Sequence, residues 1–582
     1  MKQNQAKYLS SLKSTAFHTF FLSAAIVFCF GGCKKSTSST TPPVQPPPAK
    51  TFQIIKQTIN AVSFNSTKTL RGINAKPQIQ IYFSDKVDKT SLSSATSFTN
   101  KSQGSSQVAY DFSYQNNDSS VLISPSANMS YLDEYLFTIT TALKSVSGAT
   151  LSNRVDLDFF TQIDSSDKFP QIADTALLTL VQQQTFKYFW DFGHPVSGLA
   201  RERDNGDNEV VTTGGSGFGI MAMIVAANRG FISRTDAVTR LNTIVNFLTT
   251  KCQRWHGAFS HWINGSTGVT VPFGSNNGAD IVETSYLLEG LLTARQYFNN
   301  PSDIGETALR DSINSIWNAV EWKWFTQNGA ARSLYWQYNP SFTSTSDIWS
   351  IPVTGWNEAL ITYVLAASSP NYAVSKGVYD TGWAQNGAIK NGNSYYGITL
   401  PLGDPYGGPL FFTHYSFLGI NPTNLSDAYC SNYFTQNAAH AQINYDFCTA
   451  NPNNNYGYSN LCWGLTASDI QNGYTASSPT NDVGTIAPTA AVSSIPYTPD
   501  QSMNAIKFFY YKLGDKIWGN YGYADAFDLS TPWFAASHLA IDEGPIVCMI
   551  ENYRSGLLWN LFMSCPEVKS GMKNLGFSGP NL

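Results

Sequence analysis

Along the 582-residue chain the spacing of apolar positions changes character once. From about Thr51 to Gln162, short runs alternate apolar and polar residues between Ser, Asn and Asp turns, as in Pro77–Ser84, Ser120–Ser124 and Tyr135–Ile139. Alternation of period two turns one face of each run inward, so these read as strands. About seven such runs over ~110 residues predict a β-sandwich of immunoglobulin type, placed at 51–163.

Beyond Ser165–Pro170 the period lengthens to that of a helix, and an all-α domain is expected over 172–582. Helices are predicted at Ala173–Trp190, Phe218–Arg229, Arg234–Lys251, Ile281–Phe298, Ile304–Trp324, Trp356–Ala367, Ser426–Thr449, Pro499–Leu513, Pro545–Tyr553 and Gly556–Phe562. Ser233 and Asp236 have capping-box spacing, and Gly230 and Gly514 stand where glycines end helices. Helices joined by alternately short and long loops, with no strand runs between them, predict an (α/α)6 toroid of six helical hairpins. Its long loops would build a cleft on one face. No fixed period of about 34 or 40 residues supports a helical repeat.

At the N-terminus Lys2, Lys7 and Lys13 precede the apolar run Ala16–Phe30, whose 15 residues are too few for a comfortable membrane span. Residues 1–33 read as an export signal. Its ending, Phe30-Gly31-Gly32-Cys33, resembles a bacterial lipoprotein signal, in which the Cys is lipidated and becomes the mature N-terminus. The Ser/Thr/Pro-rich stretch 34–50 reads as a tether.

Charged residues make up 13% of the chain against about 25% in an average soluble protein, whereas aromatics reach 14%, with 14 Trp and 30 Tyr. Rings, amides and hydroxyls suit an uncharged glycan, whose C–H faces stack on aromatics. A net charge of −4 with no Lys/Arg stripe excludes nucleic acid as a partner. Past the signal six cysteines remain; Cys448 with Cys462, or Cys430 with Cys448, could pair in an exported protein, and spacing does not decide between them. With no CxxC, HxH or HExxH spacing, no metal and no cofactor are expected. Asp204–Glu209 is only a faint likeness of a calcium loop.

Three helix starts carry carboxylates that could do chemistry. Glu358 stands alone beside Trp356 at the mouth of an apolar helix; Asp280 and Glu283 have capping-box spacing; Asp542 and Glu543 precede Gly544-Pro545. Any first-turn acid can merely complement the helix dipole. An acid walled by aromatics gains a raised pKa and can donate a proton near neutral pH.

Six motifs, Thr185–Asp191, Gly214–Gly219, His256–Trp262, Gly278–Ser285, Gly355–Ala359 and Tyr406–Phe411, together resemble the glucoamylase-like lipoproteins of Gram-negative bacteria. More narrowly, they resemble the endo-β-1,2-glucanases of glycoside hydrolase family 144. Segment 77–88 is similar to bacterial Ig-like domains. The resemblance implies an (α/α)6 barrel and metal-free, inverting, endo-acting hydrolysis of β-1,2-glucan to sophorose and short oligomers. Glu358 would be the acid and Asp542 the base, the base reaching water through a substrate hydroxyl. Asp280, Glu283, Glu543, Arg201 and Arg203 would bind sugar hydroxyls, with Trp255, Phe259, Trp262, Trp336, Trp356, Tyr406 and His414 lining subsites; Trp349, Trp463 and Trp533 are further ring candidates. An exo-acting, sophorose-releasing hydrolase and a non-catalytic glycan-binding lipoprotein are the alternatives. A polysaccharide lyase ranks last, because it needs basic residues to neutralise uronates. The chain is expected to be a monomer, lipid-anchored through Cys33 at the periplasmic or outer face of the outer membrane.

Overall fold

The structure is a computed structural model that describes residues 51–274, 276–344 and 348–582. The expected signal 1–33 with Cys33, and the tether 34–50, lie outside the described residues. The chain forms two compact units, the first ending at Asp164 and the second beginning at Ser165.

Among the described residues of the first unit, ten strands make two five-stranded sheets. They are β1 (Ile54–Ile59), β2 (Val62–Ser63), β3 (Leu70–Ile73), β4 (Ile79–Phe83), β5 (Thr96–Asn100), β6 (Ser106–Gln107), β7 (Tyr110–Gln115), β8 (Ser120–Pro125), β9 (Glu134–Ile139) and β10 (Val155–Thr161). One sheet runs β2-β1-β4-β8-β7 and the other β3-β10-β9-β5-β6. The alternation seen in the sequence is what buries Ile79, Ile81 and Phe83 of β4 and Val155, Leu157 and Phe159 of β10, which meet Phe98, Val121 and Phe137 in one core. A short helix α1 (Lys89–Ala95), which the strand pattern did not suggest, is capped by Asp88 through the Thr90 N–H and adds Leu92 and Ala95 to that core.

The second unit is helical. It contains α2 (Asp174–Trp190), α3 (Thr213–Arg229), α4 (Arg234–Thr250), α5 (Ile281–Tyr297) and α6 (Ile304–Asn318), then helices Leu360–Ser368, Tyr433–Ala450, Pro488–Ser493, Pro499–Ile517, Ala540–Ser555, Leu557–Phe562 and Pro566–Leu575. The central element is α3, buried at every position from Thr213 to Ala226 and packed on α5, helix 540–555 and α2. Glycines make that crowding possible. A Cβ on Gly217 would stand 2.1 Å from the Tyr286 carbonyl oxygen, and one on Gly290 of α5 would stand 2.2 Å from the Gly217 oxygen. Gly219 makes room for Phe189 of α2, and Gly544 for Phe218. Close packing of this kind has no slack for a methyl group.

Several expected boundaries move, each for a local reason. Helix α3 starts at Thr213, five residues before the expected Phe218, because its glycines are held on all sides. The helix expected from Trp356 begins at Leu360, since Gly355 has φ 78° and the Asn357 Oδ1 accepts the Ala359 N–H, making 355–359 a turn. The helix expected from Ser426 begins at Tyr433, where Asn432 caps it. Gly514, expected to end its helix, lies inside 499–517, where a Cβ would meet the Phe169 ring at 2.4 Å. Pro545 sits within the helix beginning at Ala540. The expected 304–324 helix divides at Asn318 into α6 and a 3₁₀ turn, Trp322–Thr326.

Strands are also present where none were expected. They form ribbons β11 (Val210–Thr212), β12 (Trp262–Asn264) and β13 (Thr270–Val271), then β14 (Ala279–Asp280), β15 (Tyr335–Tyr338) and β16 (Trp349–Pro352), and the hairpin Ala467–Ile470/Gly473–Ala476. Two to four residues are too few to show a period. The six described cysteines are free, so neither expected pairing forms; five of them are buried, and burial pushes the Cys430 thiol up to about 12.

Candidate active site

Three helix N-termini carry the candidate acids; those of α5 and of helix 540–555 border α3, and that of helix 360–368 borders α5. Asp280 caps α5, its Oδ1 accepting from the N–H groups of Val282 (3.1 Å) and Glu283 (3.0 Å). Glu283 does not reach back to complete the box. Its Oε2 accepts from the Gly214 N–H at 2.8 Å, which ties α5 to the start of α3, where the dipole favours an anion. Between the two carboxylates stands His261, its Nδ1 at 2.9 Å from Asp280 Oδ2 and 3.9 Å from Glu283 Oε1. Burial alone would lower the imidazole, but Glu283 and Asp280 outweigh it and lift the pKa to about 9. Glu283 is itself raised, by burial first, with His261 pulling the other way.

Glu358 occupies the turn before helix 360–368. Its backbone carbonyl accepts from Ser416 Oγ and from Tyr286 OH at 3.4 Å, and Ser416 Oγ accepts the Ile361 N–H at 2.9 Å. The backbone is therefore pinned while the half-buried carboxyl is left without a side-chain partner among the described residues. Burial raises its pKa to about 8; its own N–H opposes the rise, and the charges of Glu283 and Asp280 add to it.

On the other side of α3, Gly215 abuts Ala540 at the head of the helix that carries Asp542 and Glu543. The Asp542 carboxyl faces that of Asp525, whose charge follows burial in raising it. Asp525 also accepts the Asp469 N–H at 2.7 Å, and Asp469 is held by Arg203 Nη1, 3.1 Å from each oxygen, and by Ser537 Oγ at 2.6 Å. Arg203 thus faces a crowd of carboxylates, and a shared proton relieves it. Burial and then the Asp469 charge push Asp525 up to about 7; burial and then the Asp525 charge hold Asp542 well above the usual carboxylate range. Glu543 is raised for the same reasons, and its Oε2 has no hydrogen-bond partner among the described residues. Tyr415 lies between the two groups: the charges of both Asp542 and Glu358 reach its hydroxyl, and its ring packs on Phe411, Phe218 and Tyr286.

One carboxyl that stays protonated together with a second that can ionise is what two-carboxylate glycoside chemistry asks for. Residues 350–566 match the "Glycoamylase" family, described as "Putative glucoamylase", and residues 55–161 match "Bacterial Ig-like domain". The solved endo-β-1,2-glucanase of Chitinophaga pinensis, in complex with sophorotriose and glucose, is 47% identical at a TM-score of 0.68, covering 71% of this chain and 100% of that one. The chain belongs to the glycoamylase-like GH144 family. The β-1,2-glucanase structure from Parabacteroides distasonis, 35% identical at a TM-score of 0.67, covers 92% of this chain and 74% of its own. A curated relative from the same organism, an exo-β-1,2-glucooligosaccharide sophorohydrolase acting at the non-reducing end, is 44% identical over 437 residues. The match takes in 71% of this chain and spans 59% of that relative's length.

Within the glycoamylase-like unit the remaining expected residues divide into half-buried and core positions. Trp255, Trp262, Trp336, Tyr406 and Trp533 are half-buried, and Trp262 meets Phe273 edge-on at 4.9 Å. Phe259 is fully buried, and Trp356 and Trp349 nearly so, as core rings. Trp463 is buried too, its indole N–H donating to the Gln501 carbonyl. His414 is sealed against Ser494 Oγ at 3.0 Å, and burial depresses it to about 3. Arg201 is spent on the backbone, donating to the Asn208 and Phe192 carbonyls with its guanidinium over the Phe192 ring. Arg203 is ion-paired with Glu202 and Asp469. Sequence reasoning did not single out His261, Asp469 or Asp525. The one available signal was the kind that marked Glu358, a lone charge in an apolar run, as in Ala467-Ser468-Asp469-Ile470 and Tyr523-Ala524-Asp525-Ala526-Phe527.

Proposed function

We propose that this glycoamylase-like protein hydrolyses β-1,2-glucan with inversion at the anomeric carbon. The observation that carries this reading is Glu358, a half-buried carboxyl on a pinned turn whose pKa of about 8 keeps it protonated at neutral pH. The names of the Chitinophaga and Parabacteroides relatives support the substrate class. As the bond between the anomeric carbon and the bridging oxygen breaks, Glu358 gives its proton to the leaving oxygen. Water adds to the anomeric carbon from the opposite face and passes its proton, through a substrate hydroxyl, to Asp542. Burial and the Asp525 charge hold a proton on Asp542, so for that step Asp542 first passes this proton to Asp525 and becomes the ionised member of the pair. Asp280, Glu283 and Glu543 bind or orient the sugar.

Endo cleavage is the first reading. The sophorohydrolase relative favours a second, exo release of sophorose. We further propose that the helices close into an (α/α)6 toroid, and that a monomer is exported and lipid-anchored through Cys33 at the outer membrane. Support for the anchor is Lys2, Lys7 and Lys13 before the apolar run that ends at Gly31-Gly32-Cys33. Incubating the protein with linear β-1,2-, β-1,3- and β-1,4-glucans tests the function. Products from the β-1,2-glucan alone are expected, as a ladder of oligomers for endo action or sophorose alone for exo action. No product from that glucan refutes the proposal.

A further inference from the structure

Against Asp280 and Glu283, whose charges reach Glu358, stands a histidine with one ring nitrogen engaged and the other open. His261 immediately precedes β12, and its carbonyl accepts the Thr213 N–H at 3.1 Å, so the backbone is fixed to the head of α3. The ring lies flat on Phe273, centroids 4.1 Å apart and planes 5° apart, with Trp262 edge-on at 5.8 Å. Asp280 and Glu283 hold Nδ1 from behind. Nε2, by contrast, has no hydrogen-bond partner among the described residues and is not among the sealed polar atoms; the side chain is 21% exposed. The charges of the same two carboxylates bear on Glu358, so His261 and the proposed acid border one acidic pair. His414 and His440 are different, being sealed and depressed by burial.

We propose that His261 is a substrate-binding residue whose Nε2–H donates to a glucosyl hydroxyl of the chain bound against Glu358. The inference rests on the glucan reading above and names a group that holds the sugar there. Flanked by two carboxylates, the ring carries both protons, and both nitrogens donate. A donor that is charged, stacked and anchored from behind arrives already oriented, which is how a charge-assisted hydrogen bond gains strength.

The competing view is that His261 only neutralises Asp280 and Glu283. Two substitutions in the full-length protein separate the two ideas, because Asn places its amide near Nδ1 and Gln places its amide near Nε2. His261→Asn keeps the bond to Asp280 and lacks the cleft donor. It is expected to fold normally and to lose about ten- to a hundredfold in kcat/KM on β-1,2-glucan, mostly through KM. His261→Gln keeps the cleft donor and is expected to retain most of kcat/KM. Sophorose titrated by calorimetry should bind more weakly to the Asn variant than to the Gln variant. Wild-type kcat/KM in His261→Asn, or an equal loss in both variants after correction for the folded fraction, overturns this inference while the glucan reading stands. A wild-type protein inert on the glucan overturns that reading, and this inference with it.

Discussion

The pKa of Glu358 makes a sharp kinetic statement. At a value of about 8 in place of 4.5, roughly 90% of the groups are protonated at pH 7, against about 0.3% for an ordinary glutamate, a ~300-fold gain in available acid. An acid is competent below its pKa and lost above it, so kcat on saturating β-1,2-glucan should hold through neutrality. Above pH about 8 it should then fall about tenfold per unit. Of the neighbouring charges, that of Glu283 raises Glu358 most, so Glu283→Gln should move the alkaline limb to lower pH. Glu358→Gln should cost about 10²- to 10⁴-fold in kcat and abolish that limb. Initial rates of reducing-sugar release, taken from pH about 5 to 10 for the three proteins, decide the matter. A limb that survives unmoved in Glu358→Gln, or a near-normal rate in that variant, refutes the assignment of the acid.

Asp542→Asn should lower kcat by several orders of magnitude while sophorose still binds by calorimetry; a near-normal rate excludes it as the base. Asp525→Asn removes the like charge facing Asp542, so the acidic limb of kcat should shift to lower pH, and an unmoved limb contradicts the paired-carboxyl geometry. Glu289, buried with Oε2 unpartnered among the described residues and raised well above the usual range by burial, holds a proton in the folded state that the unfolded chain gives up. The stability it contributes is full below the ordinary carboxylate range and drains as pH rises toward the folded value. Glu289→Gln should therefore flatten the alkaline fall in Tm measured by calorimetry. Gly217→Ala, whose Cβ would meet the Tyr286 carbonyl oxygen at 2.1 Å, should destabilise by about 1–3 kcal/mol or more; an unchanged Tm refutes the packing argument.

What the sequence disclosed and what it hid follow from range. Capping and alternation are local, so the Ser233 cap, the Asp280 cap, the Gly230 terminus and the β4, β8 and β9 strands could be read directly. Gly514 and the glycines of α3 could not, because a glycine that ends a helix and one that admits a neighbouring ring look alike until Phe169 or Tyr286 is in place. The carboxylate at a helix mouth was visible at Glu358, but the turn that pins it depends on Ser416 and Tyr286, each more than fifty residues away in the chain. Asp469 and Asp525 sit on or beside two- to four-residue strands with no period to announce them. Their meaning comes only from Arg203 and Asp542, brought in from distant parts of the sequence.

The glycine seam of α3 works as a shim. Its Gly214 amide grips Glu283 on one side, and its Gly215 rests on Ala540, two residues before Asp542, on the other. The thickness of a bare backbone thus gauges the separation of the two carboxylate-bearing helix ends. A methyl group added along that seam would meet Glu283 or Ala540 and wedge the two ends apart, disturbing catalysis from within the packed interior. Selection on the chemistry therefore reaches into the interior of the helical unit.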